Sequence, residues 1–319
     1  MVIRARISAL ETEGAGGERP KVAKRGHLRS DGIWPWIFLG PIFIHFAIFF
    51  AWPLARTVYY SFTEWGLLGD TTWVGAANYI NLVSTPDFGR AALNTVIFTA
   101  VVAASIPVSL VLAVLINTRG LSFRRFYQAI YFLPVITMPV AVGIVWRLLY
   151  AGDFGLINQG LDVVGIDGPY WLRTRFLSLV AVGIVGVWTT LGYNLIIFGA
   201  ALQGLPRELY EAAELDGAGP FRRFRSLTLP LISPVIFFVS VLTVIAGVQV
   251  FDLIFVMLGG TTTTSSIQEN GTLMYFFYYE AMVKGDKGFA AAAGIAIVAA
   301  IAILTAVQFQ LQRRWVHYD

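Results

Sequence analysis

Residues 205–230 read LPRELYEAAELDGAGPFRRFRSLTLP. This charged, sharply punctuated passage is lodged between two long apolar runs. Pro206 suits the first turn of a helix, where a missing N–H costs nothing. Glu208 and Glu211 follow near the N-terminal end, where the helix dipole favours negative charge. Gly217 is a natural left-handed stop after Asp216. Pro220 then opens a second short helix carrying Arg222, Arg223 and Arg225, and Leu229-Pro230 turns the chain back into apolar sequence. The spacing predicts two short helices at a tight glycine turn, the first about 15 Å long. Ala212 and Ala213 beside Tyr210 leave room for a partner's surface to close over the first helix.

The surroundings say where such an element sits. The 319-residue chain is 57% hydrophobic and only 13% charged, with no cysteine, and its mean hydropathy is +0.69. Soluble domains carry about 25% charged residues, so much of this surface is expected to face lipid. Disulfides, thiolate metal sites and thiol nucleophiles are excluded. His27, His45 and His317 are far apart in sequence and suggest no metal site. A bilayer core about 30 Å thick takes roughly 20 apolar residues in a helix. Six windows qualify, near 35–61, 90–116, 126–150, 176–203, 231–258 and 288–311, giving an all-α, six-span membrane protein. Residues 1–33 read as a flexible basic tail leading into an uncleaved span, 34–315 as the membrane domain, and 316–319 as a short tail.

Orientation follows from the lysines and arginines of the connections. With the N-terminus inside, the inner segments carry 16 and the outer segments 4. Both termini and the 204–230 loop are therefore expected in the cytoplasm. Residues 273–283 are too short to span and are expected along the outer membrane surface. Asn270-Gly271-Thr272 fits a glycosylation sequon, a match common by chance.

The spacing within 205–230 carries a resemblance. Glu211-Ala212-Ala213, three residues, Gly217, nine residues, Leu227, one residue and Leu229-Pro230 resemble the EAA loop (EAA-x3-G-x9-I-x-LP) of permeases in binding-protein-dependent ABC importers. YFLPVITMPVAVGIVWRLLY, GDFGLINQGL and QVFDLIFVMLGG are similar to the carbohydrate branch of that family, in its first-permease form, and the likeness covers roughly 34–315. It implies the type I importer permease fold and a bacterial inner-membrane location. The implied partners are a second, similar permease, a homodimeric cytoplasmic ABC ATPase, an extracytoplasmic solute-binding protein, membrane lipids and a sugar, with no nucleic acid. It further implies that Glu211, Ala212, Ala213, Asp216, Gly217, Leu229 and Pro230 couple to the ATPase, with Glu211 meeting an Arg or Lys there.

The chain itself offers no nucleotide site. A phosphate-binding loop needs G-x-x-x-x-G-K-[ST], and neither GAGG at 14–17 nor DGAG at 216–219 is followed by Lys-Ser or Lys-Thr. No cofactor and no catalysis are expected here; ATP and magnesium belong to the implied ATPase.

Polar groups at membrane depth default to a pathway hypothesis. The fourth window offers Trp188, Thr189, Thr190, Tyr193 and Asn194; the fifth offers Thr243, Gln249 and Asp252. Trp188, Gly192 and Leu195 share a helix face, an aromatic surface beside a glycine notch that suits a sugar ring. The resemblance points to the same spans and adds Leu191, Ala246, Gly247 and Val250. Gly247 and Val250 replace the paired Asn of the maltose protein, which argues against maltose. Arg147 and Asp252 are expected near outer span ends. An ion-driven secondary transporter would show buried acids and broken repeats, and a membrane-embedded transferase would show converging carboxylates or histidines; neither pattern is visible.

Overall fold

The computed structural model describes residues 34–65, 70–118, 120–259 and 265–313. The expected tails, 1–33 and 316–319, lie outside the described residues. The chain divides into two units, 1–55 and 56–319. In the first, α1 (Trp34–Phe46) passes through a π-helical turn at Ala47–Ala51 into α2 (Trp52–Tyr60), which continues beyond it. Residues Trp36–Tyr60 are long and apolar enough to cross a membrane, and none of their most apolar window is buried.

The second unit continues with an antiparallel hairpin of β1 (Thr63–Trp65) and β2 (Thr71–Trp73), Thr63 opposite Trp73. After α3 (Ala77–Ser84), α4 (Pro86–Ala103) and α5 (Ser105–Ile116) form one 31-residue span. Next come α6 (Arg124–Ile136), α7 (Pro139–Leu149), α8 (Leu156–Asp162) and the long α9 (Leu177–Gln203). The 205–230 passage supplies α10 (Arg207–Leu215), α11 (Pro220–Arg223), a π-helical turn at Phe224–Thr228 and α12 (Leu229–Leu231). The chain ends with α13 (Ser233–Val248), α14 (Asp252–Leu258), α15 (Ser265–Asn270), α16 (Leu273–Tyr278), a π-helical turn at Tyr279–Val283 and α17 (Lys287–Gln312).

Among the described residues four helices are continuous candidate spans, and counting each of two bent pairs as one span brings the number to six. The fold class is as the sequence indicates, but two windows are not straight. The third bends by 100° between α6 and α7. Pro139 opens α7, and Thr137 and Met138 before it are extended, with ψ of 139° and 126°; the residue before proline is pushed out of the helical region. The fifth window, expected as a single helix over 231–258, breaks twice. It bends by 69° between α12 and α13 and stops again at Val248 before restarting at Asp252.

Three apolar clusters hold the second unit together. Phe98, Val102, Val182, Val185, Ile254 and Met257 belong to one; Leu82, Leu273, Phe276 and Ala293 to another; Leu110, Leu195, Phe198 and Ile232 to the third. Helix α9 runs through the middle, packed on α4, α5 and α6. Its glycines allow this: a Cβ at Gly192 would lie 2.1 Å from the Tyr131 carbonyl oxygen of α6, and one at Gly183 would lie 2.6 Å from Val101 of α4. Segment 273–283 is built into the bundle rather than laid along a membrane surface, since Leu273, Tyr275, Phe276 and Glu280 are buried. The sequon fares likewise: Asn270 is fully buried and donates to the Ser266 carbonyl at 3.0 Å.

Candidate functional site: a coupling element and a cavity between broken helices

The 205–230 passage has the predicted two-helix form with one shift at its start. Pro206 precedes α10 in extended conformation, so Arg207 is the first helical residue. Gly217 takes a left-handed φ of +74°. Around it the Ala218 N–H donates to Ala213 O at 2.9 Å and the Gly217 N–H to Glu214 O at 3.0 Å, the paired bonds of a Schellman stop. Asp216 contributes its backbone as the cap; its N–H donates to Ala212 O.

Two side-chain contacts not foreseen from sequence brace the turn. Arg223 Nη1 donates to Glu214 Oε2 at 2.9 Å, joining α10 to α11, and the Tyr210 hydroxyl meets Thr228 Oγ1 at 3.0 Å. In the sequence Arg223 counts among the basic residues of the inner loops. The 9-residue separation of Glu214 and Arg223 across a glycine turn was the available signal. Glu211 and Ala212 are exposed, Ala213 half-buried, and Leu229 and Pro230 half-buried at the return into the bundle. The turn also presents Leu215 at 90% and Phe221 at 74% exposure. Two large apolar side chains so exposed on a polar loop mark a contact surface, and neither was singled out from the sequence.

A cavity of about 400 Å³ lies where the two interrupted spans approach α9. Helix α9 gives Gly186, Thr189, Thr190 and Tyr193; the bend before α7 gives Thr137; the break after α13 gives Gln249, Val250 and Asp252, with Ala246 and Gly247 just before it. Helix breaks at membrane depth are tolerated where they line a cavity. The Thr189 and Thr190 hydroxyls both donate to Gly186 O, at 3.0 and 2.7 Å, leaving their lone pairs toward other donors.

The structure gathers the pathway residues selectively. Ala246, Gly247, Gln249 and Val250 line this cavity, while Trp188, Leu191, Gly192, Asn194, Leu195 and Thr243 are not among its lining residues. The Trp188 ring packs against Trp146, centroids 5.8 Å apart. The notch at Gly192 is filled by α6 backbone rather than open. Asn194 is buried and donates to Ser105 Oγ at 3.1 Å, and Leu195 belongs to the third apolar cluster. Thr243 is buried, and its hydroxyl lacks a hydrogen-bond partner among the described residues. Asp252, expected near an outer span end, starts α14 and lines the cavity. Arg147 lies in a different cavity and donates to Val256 O at 3.3 Å.

Comparison with known proteins places this geometry. Residues 105–317 match the model of the family described as binding-protein-dependent transport system inner membrane component. The chain belongs to this family. As a permease it is 31% identical over 286 residues to the arabinooligosaccharides transport system permease protein AraP of Halalkalibacterium halodurans, 88% of each chain. It is 34% identical to the sn-glycerol-3-phosphate permease UgpA of Yersinia pestis, covering 89% of this chain and 96% of that one. LacF, a lactose permease protein of Rhizobium radiobacter, is 34% identical over 71% of this chain and 76% of its own. Among solved structures, a bacterial ABC transporter involved in importing the acidic polysaccharide alginate superposes with a TM-score of 0.78 at 23% identity, covering 88% of this chain and 96% of that one. The permease is thus an inner-membrane transport component with the ABC importer fold.

Proposed function

We propose that this permease forms half of the translocation pathway of an ABC importer for a sugar or sugar derivative. A second, similar permease supplies the other half, and an extracytoplasmic solute-binding protein delivers the cargo. Two copies of a cytoplasmic ATPase hold the ATP and magnesium. The names of its relatives support the cargo class: arabinooligosaccharide, lactose and glycerol-phosphate systems all appear at 31–34% identity. Its location is the inner membrane, with both termini and the coupling element on the cytoplasmic side, as the 16-to-4 distribution of basic residues favours.

One observation carries the mechanism. The braced element α10–α12 connects the end of α9 to the start of α13, and both of these helices line the cavity. Closure of the ATPase dimer on the element therefore moves two cavity walls from one point of contact. Glu211, Ala212, Ala213, Asp216, Gly217, Leu229 and Pro230 are assigned to coupling, and Leu215 and Phe221 join them as apolar anchors. Glu211 makes the charge-assisted contact with an Arg or Lys of the ATPase. In the cavity, Gln249, Asp252, Thr189 and Thr190 supply hydroxyl partners while Tyr193 supplies an aromatic face. Each ligand must favour one of the two conformations for ATP to drive transport.

The test is uptake by the assembled transporter in proteoliposomes. Glu211→Lys is expected to abolish ATP-driven sugar uptake while the chain still inserts and assembles. Full transport by that variant would refute the coupling role.

A further inference from the structure

We propose that a second cavity of this chain, between the start of α4 and the α15–α16 segment, is a carbohydrate-binding subsite; the ligand class rests on the sugar reading above. The cavity holds about 300 Å³ and shares no lining residue with the one at the broken spans. In the orientation proposed above it opens on the extracytoplasmic side, where cargo arrives.

Its chemistry selects the ligand class. The Tyr275 and Tyr279 rings lie 6.1 Å apart, tilted by 31°, and both line the cavity as an aromatic wall. Around them stand two ready-made ion pairs. Arg90 Nη2 lies 3.1 Å from Asp87 Oδ1, and Lys284 Nζ lies 2.8 Å from Glu280 Oε1 and 5.4 Å from the Tyr279 ring centre. Glu280 is only 4% exposed, so its carboxylate is fixed in place by burial and by the ammonium. Two cations and two carboxylates balance, so neither an anion nor a cation finds uncompensated charge. Donors and acceptors nevertheless remain on both pairs, since a carboxylate accepts several hydrogen bonds and guanidinium and ammonium groups donate several. Alternating donors and acceptors around aromatic faces match a pyranose or furanose, with hydroxyls at its edge and C–H bonds on its face. The volume falls at the lower end of small-molecule sites. A neighbouring cavity of about 390 Å³ shares Glu280 and Lys284, so this ion pair stands between two openings and a linked saccharide can lie across it.

The full-length chain in nanodiscs, without the solute-binding protein, is titrated with lactose and with arabinotriose, and binding is read by saturation-transfer NMR. Saturable binding is expected. Tyr279→Ala should weaken it about tenfold or more, equivalent to at least about 1.4 kcal/mol; Tyr279→Phe should leave it unchanged. Gln268→Ala, at an exposed lining position that threatens no packing, should also weaken it. Absence of saturable binding in the wild-type chain overturns the subsite, as does wild-type affinity in both Tyr279→Ala and Gln268→Ala. Sugar uptake by the assembled wild-type transporter separates the two claims. Uptake without binding at this cavity removes the subsite alone, whereas no uptake of any sugar removes the cargo reading and this ligand with it.

Discussion

Arg223 reaches back across the Gly217 turn to Glu214, with 2.9 Å between Nη1 and Oε2. The contact joins α10 to α11 beside the three backbone bonds at the turn and the Tyr210–Thr228 hydrogen bond. The Glu214 side chain is 71% exposed, and exposed pairs contribute only about 0–1 kcal/mol to stability. Glu214→Ala and Arg223→Ala should therefore barely move the thermal midpoint yet reduce ATP-driven uptake. Exchange of the two charges, Glu214→Arg with Arg223→Glu, should recover more uptake than either single variant. A swap no better than the singles counts against a geometric role.

The two glycines flanking Ala218 separate conformation from space. Gly217 has φ of +74°, while Gly219 is extended, and a Cβ at either would meet nothing within 4 Å. Left-handed backbone costs a residue with a Cβ about 1–2 kcal/mol. Gly217→Ala should lower uptake and raise protease sensitivity at the turn; Gly219→Ala should do neither. Equal behaviour of the pair would show that the positive φ is unimportant.

Much of this architecture is written plainly in residue order, and some is not. The short helices at 207–223 are visible because proline, acidic first-turn residues and glycine mark ends locally. The all-helical class follows from six apolar windows for the same reason. The broken fifth span was missed because Ser233–Leu258 is almost uniformly apolar, and hydropathy does not register a helix stopping at Val248 to line a cavity. The Gly192 contact falls in the same category. Helical periodicity locates a face on its own helix, whereas what fills the space opposite depends on a partner more than fifty residues away.

Gly192 gives a direct stability test. Its missing Cβ makes room for the Tyr131 carbonyl, whereas a Cβ at Gly199 would sit an ordinary 3.7 Å from Asn117 Nδ2. Gly192→Ala should destabilise the purified protein by about 1–3 kcal/mol through overpacking, read as a lower melting temperature in detergent. Gly199→Ala should melt like the wild type, and identical curves for the two variants would contradict the close approach of α6 and α9.

Asn94 ties the α15–α16 segment to α4. Its Nδ2 donates to Glu269 O at 2.9 Å and Gly271 O at 3.0 Å, and the neighbouring Thr95 hydroxyl accepts from the Leu273 N–H at 2.9 Å. Loss of the amide leaves buried acceptors unpaired at about 1–3 kcal/mol. Asn94→Ala should therefore speed hydrogen exchange across residues 265–283 while exchange in α9 stays slow. Uniform protection in both would argue against the tether.

The π-helical turn at Phe224–Thr228 stands between the braced pair α10–α11 and α13. A wide turn of this kind stores one surplus residue in the winding. Were that surplus to migrate by one position toward α13, every side chain it passed would rotate about the axis while the contour length stayed nearly constant. A push delivered at Gly217 would then turn the side chains between Phe224 and Leu231 and re-aim the 69° corner that leads into α13.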